Sequence, residues 1–287
     1  MAAAVTRQAV CYSLEGSFPN HVVVASLKDG STICTDDHCK TAKDPVASAL
    51  YNTVTRIHCF IRSKFGIKGI DGKGTMAHLY IHWDEDNAAW SCETGSCVWR
   101  FNSRYALDPK VVGHEYMHAV VSKFAGLNYR EESGALDEAM ADVMGLAFSE
   151  WFTGITSWTI IDRDLSRCID MRSFQRLTPR EVPSERNDYG YVHDNGRIPS
   201  HAFFYAVREF NGLLHGKVLH VWFNAILKAS RNETFVEFAN KTICFAQDLQ
   251  DSQLVSAVTY SWLHVQVLKQ QIPRSIGRAK DLAVYLI

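Results

Sequence analysis

His114 and His118, with Glu115 between them, lie inside an apolar run from Val111 to Val121. In a helix, residues four apart are separated by about 40° around the axis and about 6 Å along it, so both imidazoles share a face. Glu115 falls about 100° further round, beside whatever the imidazoles hold. Val111, Val112, Ala119, Val120 and Val121 require this helix to be buried. Burying two imidazoles and a carboxylate is costly unless a partner satisfies them. A zinc ion is such a partner, because two imidazoles on one face can reach it at about 2.0–2.1 Å. The bland alternative, a solvated face carrying two ordinary histidines, fits those apolar flanks poorly.

The next helical pattern, over 136–152 with Ser133 placed as its cap, supplies the rest of a metal site. Glu138 and Asp142 are four apart on one face, and the small Ala139 and Ala141 would let two helices approach. Apolar Met140, Val143 and Met144 around them argue against a merely solvated acidic stripe. Glu138 can complete a His2Glu set with one coordination position open, and Asp142 can accept the second N–H of a ligating histidine. Zinc carries +2 against one ligand charge of −1, so bound water becomes acidic enough to attack at neutral pH.

Composition excludes several other roles. The chain has 287 residues, enough for a large core, and a net charge of −1, which gives no general field for nucleic acid or an anionic membrane. No apolar run is long enough to span a bilayer. Residues 1–8 lack a basic segment leading into an apolar one, so the chain is expected to be processed or not exported by that route. Of eight cysteines, Cys34/Cys39 and Cys92/Cys97 share a spacing of four intervening residues. Two disulfides across turns are expected, which implies an oxidising compartment; eight free thiols in a cytosolic protein is the alternative. A four-cysteine zinc site is disfavoured, because neither pair has the tighter C-x2-C form. Asn232 and Asn240 begin glycosylation sequons.

Along the chain, strands are predicted over 21–25 and 77–83, and a helix over 45–61 behind Asp44. Residues 67–74 read as a turn-rich loop. A helix over 111–124 is stopped by Ala125-Gly126. Residues 158–199 form a long polar segment with little periodicity, a length of loop that usually carries function. Helices are predicted thereafter over 200–210, 217–230, 233–247 and 252–267. No internal repeat or low-complexity tract is visible.

The residues now carry a family resemblance. Val111 to Val121 followed by Ala125 to Asp142 resembles the core of the thermolysin-like zinc metallopeptidases: HExxH, nineteen intervening residues, then a glutamate in an ESGAxxEAxxD context. Asp86-Asn87-Ala88-Ala89-Trp90 is similar to the family's NAFW segment, Met171-Arg172-Ser173 to its LRS element, and Asp188 to Phe203 to DNGGVHxNSGIPNxAF. The resemblance runs from about Pro45 to Val267. It implies an α+β, two-lobed fold: a mixed β/α lobe over 1–128 ending in the HExxH helix, an α-helical lobe over 129–287, and a cleft between them.

It also implies roles. His114, His118 and Glu138 would ligate one zinc ion, and Glu115 would take the proton of the attacking water. Tyr129 and His193 would stabilise the oxyanion, with Asp188 orienting the imidazole. Asn87, Ala88 and Arg172 would bind substrate, and a pocket including Val111, Ile160 and Met171 would favour a large apolar residue just after the cleaved bond. The expected function is a secreted, monomeric zinc endopeptidase acting on peptide or protein, with no nucleic-acid partner. Lys110 replaces an expected aspartate, with Asp108 two residues back. Ser149, Ser157 and Thr159 stand at other acidic positions, leaving Asp162 nearly alone, so the family's double calcium site is expected to be lost. The disulfides are expected to take over its tethering. Ala89 and Tyr189 also depart from the family pattern. Three rivals stand beside this reading: a narrow-specificity effector or toxin protease, a non-cutting peptide binder on the same scaffold, and a purely structural zinc module.

Overall fold

The strand-bearing half is built around one helix that crosses behind a mixed sheet. Asp44 caps that helix, α1 (Pro45–Phe65), by accepting from the amides of Val46 and Ala47, and Pro45 needs no amide partner in the first turn. Its buried face carries Leu50, Tyr51, Val54, Ile57, Phe60 and Ile61, and Gly66 ends it in the left-handed region at φ 72°. The computed structural model describes residues 22–75, 77–93 and 96–269. His21, the first residue of the strand expected over 21–25, lies outside them, as does nearly all of the tail after Val267.

The five strands are β1 (Val22–Ser26), β2 (Thr32–Thr35), β3 (Ala77–Ile81), β4 (Ala88–Glu93) and β5 (Ser96–Phe101). They order as β2-β1-β3-β5-β4, with β1, β3 and β5 parallel and both outer pairs antiparallel. β4 is therefore an edge strand, and it packs beside the HExxH helix. Disulfides close the two expected turns: Cys34–Cys39 follows β2, and Cys92–Cys97 links directly paired residues of β4 and β5. Cys59 is also oxidised, whereas Cys168 and Cys244 are free and exposed.

Helices make up nearly all the rest. A single turn, α2 (Ser103–Ala106), leads into α3 (Pro109–Phe124), capped by Asp108. The expected stop holds, with Gly126 at φ 59°. Next comes α4 (Glu131–Thr153), which begins five residues earlier than its apolar pattern predicted. Ser133 is accordingly not the cap but lies in the first turn, donating to the carbonyls of Asn128 and Arg130. α3 and α4 touch backbone to backbone at Gly113 and Gly145. A Cβ on Gly145 would stand 2.3 Å from the Lys110 carbonyl oxygen, and one on Gly113 3.0 Å from the Gly145 Cα. No side chain fits there.

After a two-residue hairpin of β6 (Thr159–Ile160) and β7 (Arg163–Asp164), α5 (Asp188–Phe210) runs across α4. The loop predicted to last until residue 199 thus ends twelve residues sooner. Asp188, Tyr189, Gly190 and Tyr191 all have positive φ, so this start has no helical signature to read, and Pro199 is carried inside the helix. α6 (Lys217–Leu227), α7 (Phe235–Asp248) and α8 (Ser252–His264) pack around α5 through Trp222, Phe238 and Trp262, all buried. Among the described residues no helix is long and apolar enough to cross a membrane.

Candidate active site

The α3–α4 contact sets the site. With the backbones this close, His114 and His118, which follow Gly113 on α3, face Glu138, which lies two turns before Gly145 on α4. All three are buried, and one donor atom from each lies within 4.8 Å of the others. The two Nε2 atoms are 3.0 Å apart; Glu138 Oε2 is 3.6 Å from that of His114, and Oε1 3.5 Å from that of His118.

Each imidazole is held from behind by a carboxylate. His114 Nδ1 lies 2.9 Å from Asp142 Oδ1, and His118 Nδ1 lies 2.9 Å from Asp137 Oδ1. Such pairing places the ring proton on Nδ1 and turns the Nε2 lone pairs towards each other and towards Glu138. Glu138 Oε2 is buried without a hydrogen-bond donor. Two facing lone pairs and an unsatisfied carboxylate oxygen repel one another unless a cation sits between them, so the donor set fits a zinc ion. The electrostatics agree. Burial alone would lower the His118 pKa, but the charges of Asp137, Glu138 and Glu115 outweigh it and push it up to about 10. That field calls for positive charge, which a metal supplies in place of the proton. Burial likewise disfavours charge on Asp142, yet the His114 hydrogen bond and Arg163 hold its carboxyl down at about 2.

Two further expected residues converge on the same carboxylate. Tyr129 donates its hydroxyl to Glu138 Oε1, and His193 Nε2 lies 3.3 Å from Oε2. Burial and the Glu138 charge push the Tyr129 phenol far up, so it stays an O–H donor. Asp188, at φ 49°, aims its carboxylate back along the chain: Oδ1 is 2.6 Å from His193 Nδ1, and Oδ2 accepts the His193 amide. Glu115 is buried beside His118, and its carbonyl accepts from Trp99 Nε1 at 3.0 Å. Asn87 and Ala88 stand at the start of edge strand β4, where the Asn87 side chain accepts the Ala88 amide.

Arg172 is not brought into this cluster. Its side chain is exposed and paired with Asp170, facing a cavity of about 470 Å³ lined also by Met171, Tyr260 and His264. The guanidinium that does reach the cluster is that of Arg163, which grips both Asp142 oxygens at 2.6 and 2.8 Å. Val111 and Ile160 are buried, whereas Met171 lines the cavity that Arg172 faces. Sequence reasoning missed Asp137, Arg163 and Trp99. Asp137 adjoins Glu138 and could have been found as a second acid on the same turn; Arg163 and Trp99 left no local signal.

Comparison with known proteins agrees with this geometry. Residues 11–122 match the thermolysin metallopeptidase catalytic domain, and residues 125–267 match the thermolysin metallopeptidase alpha-helical domain. The chain is 26% identical over 270 residues to Protease PrtS of Photorhabdus sp. (strain Az29), covering 82% of this chain and 72% of that protein. It is 27% identical over 258 residues to an Extracellular metalloprotease of Pectobacterium carotovorum subsp. carotovorum, covering 79% and 74%. In fold it is similar to the precursor of protealysin, a metalloproteinase from Serratia proteamaculans, with a TM-score of 0.74 at 20% identity over 87% of this chain and 88% of that one. The two matched domains together span the sheet, the HExxH helix and the helices that surround it, so the chain belongs to the thermolysin family of zinc metalloendopeptidases.

Proposed function

We propose that this chain cleaves internal peptide bonds with His114, His118 and Glu138 as zinc ligands and Glu115 as the proton carrier. The observation that carries the reading is the convergence of four expected groups on one buried carboxylate: His114, His118, His193 and Tyr129 all face Glu138. Zinc bound there supplies a Lewis acid and a water acidic enough to attack at neutral pH.

The protein's own groups do the rest. The Glu115 carboxylate accepts the proton of the attacking water and passes it to the leaving amine, one group serving as base and then acid. The Tyr129 O–H and the His193 Nε2–H donate to the oxygen on which negative charge develops. Donation from Nε2 needs both ring nitrogens to carry a proton, and Asp188 supports that form by accepting from Nδ1 while fixing the ring's direction. Asp137 and Asp142 orient the ligating rings, and Arg163 holds Asp142 in its charged form. Asn87 and Ala88 begin an edge strand beside α3, so an extended peptide can add to it by backbone pairing. In this reading Arg172 meets substrate only after leaving Asp170. Ile160 packs where a Gly145 Cβ would be 3.1 Å away, which puts an apolar side chain beside the ligand-bearing helices and favours a large apolar residue after the cleaved bond.

The same reading divides the chain at 128/129. It assigns no calcium, since Lys110 places an ammonium on the Thr159 carbonyl at 2.9 Å. It sets the enzyme in an extracellular environment, supported by the two turn disulfides and by a relative named as extracellular. A peptide library tests it: internal cleavage abolished by a zinc chelator and restored by zinc is expected. Cleavage that survives the chelator would overturn the reading, as would cleavage of a single sequence for its general specificity.

A further inference from the structure

A second set of metal-competent side chains lies in the other half of the molecule. Cys168 Sγ, one ring nitrogen of His201 and one of His264 are all within 4.8 Å of one another. They come from three elements: the segment after β7, the middle of α5 and the end of α8. His201 is only 2% exposed, and its Nδ1 is 2.9 Å from the Leu165 carbonyl oxygen. A carbonyl only accepts, so the ring proton is on Nδ1 and the lone pair is on Nε2. That Nε2 is buried and has no hydrogen-bond partner. Leaving such an atom unmatched is unfavourable, and the fold has pinned the tautomer that makes it a metal ligand rather than a donor.

Aromatic rings surround the two imidazoles: His201 stacks on Phe204 with ring centroids 5.5 Å apart. The Arg208 guanidinium lies over the Tyr205 ring, 4.3 Å from its centroid, and that ring stacks on His264 at 3.8 Å. Asp170 lies close enough to act on both histidines and is itself committed to Arg172 and Gln266. Cys168 is exposed, so a thiolate there completes the set from the solvent side and leaves a further position open to water.

We propose that Cys168, His201 and His264 form a second binding site for a zinc-class divalent cation, distinct from the peptidase centre. One thiolate and two imidazoles suit a borderline-soft ion and are a poor match for calcium or magnesium. Binding displaces the thiol proton and forms one sulfur–metal and two nitrogen–metal bonds. The site ties the segment bearing Arg172 to α5 and α8. It does not rest on the peptidase reading.

Cobalt(II) alone is the probe, since it fills zinc sites and reports sulfur ligation through a thiolate-to-metal charge-transfer band that His2Glu ligation cannot give. Metal-depleted protein, kept from oxidants with its disulfides intact, is titrated with cobalt. The expected result is about two equivalents per chain with the charge-transfer band present, following the one-ion stoichiometry of a three-ligand set at each site. Cys168→Ser and His264→Gln should each lose the band and one equivalent while still cleaving peptide. His118→Ala should keep the band and lose the other equivalent. Absence of the band in the unmodified protein, or cobalt uptake by Cys168→Ser equal to that of the unmodified chain, would overturn the proposal. Cys244 remains in every variant, so a band that persists in Cys168→Ser would assign it to the wrong cysteine and count against the site.

Discussion

The two histidine-bearing clusters orient their imidazoles by different means. At His114/His118/Glu138 each ring is backed by a carboxylate, Asp142 or Asp137, and negative charge accumulates around the donors. At Cys168/His201/His264 the buried ring is backed by a neutral carbonyl, and an arginine stands nearby. A carboxylate behind an imidazole makes it a stronger base and a stronger ligand, whereas a carbonyl fixes the tautomer without adding charge. The first arrangement demands a cation even when no metal is present; the second only leaves a lone pair ready. Burial by itself does neither. His58, buried and edge-on to Tyr116 with no carboxylate among the described residues backing it, has its pKa lowered to about 4.

That contrast can be broken most severely at Glu138. Replacing it with alanine removes the carboxylate on which four groups converge, and peptidase activity should fall by at least about 10³-fold together with loss of one equivalent of zinc, as scored by metal analysis. Retained activity would show that the charged cluster is not the reacting centre. Glu115→Gln separates chemistry from metal binding. Turnover should drop by about 10²–10⁴-fold, the range for a lost general base, while zinc content is unchanged. Normal turnover in that variant would sink the proposed proton path.

Asp142→Asn probes the backing itself. Zinc affinity at the peptidase centre should weaken by about 10–100-fold in a competition titration, since the Arg163-held carboxylate no longer accepts from His114. An equal weakening of the cobalt–thiolate band would mean that the two clusters are coupled rather than independent.

The smallest effect concerns His58. Its pKa is depressed in the folded chain, so below the unfolded value of about 6.5 the unfolded state binds the extra proton, and stability is lost as pH falls towards 4. The group alone should make the fold about 1 kcal/mol less stable at pH 5.5 than at pH 7, and His58→Phe should remove that increment from the slope seen in denaturant melts.

How much of this was legible beforehand follows from the distances along the chain. The helices over 45–61, 111–124 and 252–267, two of the strands and both turn disulfides rest on local spacing and were read nearly as they stand, whereas β2, β4 and β5 were not anticipated. Where the backbone leaves regular conformations, reading failed: the positive-φ run from Asp188 to Tyr191 disguised the start of α5, and Ser133 imitated a cap while lying inside a helix. Arg172 matched its family position in sequence, yet its guanidinium is tied to Asp170, whereas Arg163, with no motif around it, grips Asp142.

The sequence by itself determined that two imidazoles and a nearby carboxylate would share a helix face, because 3.6 residues per turn leaves no other arrangement of HExxH. Through the family resemblance it also pointed to Tyr129 and His193, which face Glu138, and to Arg172, which does not. Tertiary structure alone decided what stands behind each ring and that Cys168, His201 and His264 meet at all. Helical periodicity is a property of consecutive residues. The meeting of a loop, a mid-helix and a helix end depends on how α4, α5 and α8 pack, and that packing is set by side chains distributed over the entire core.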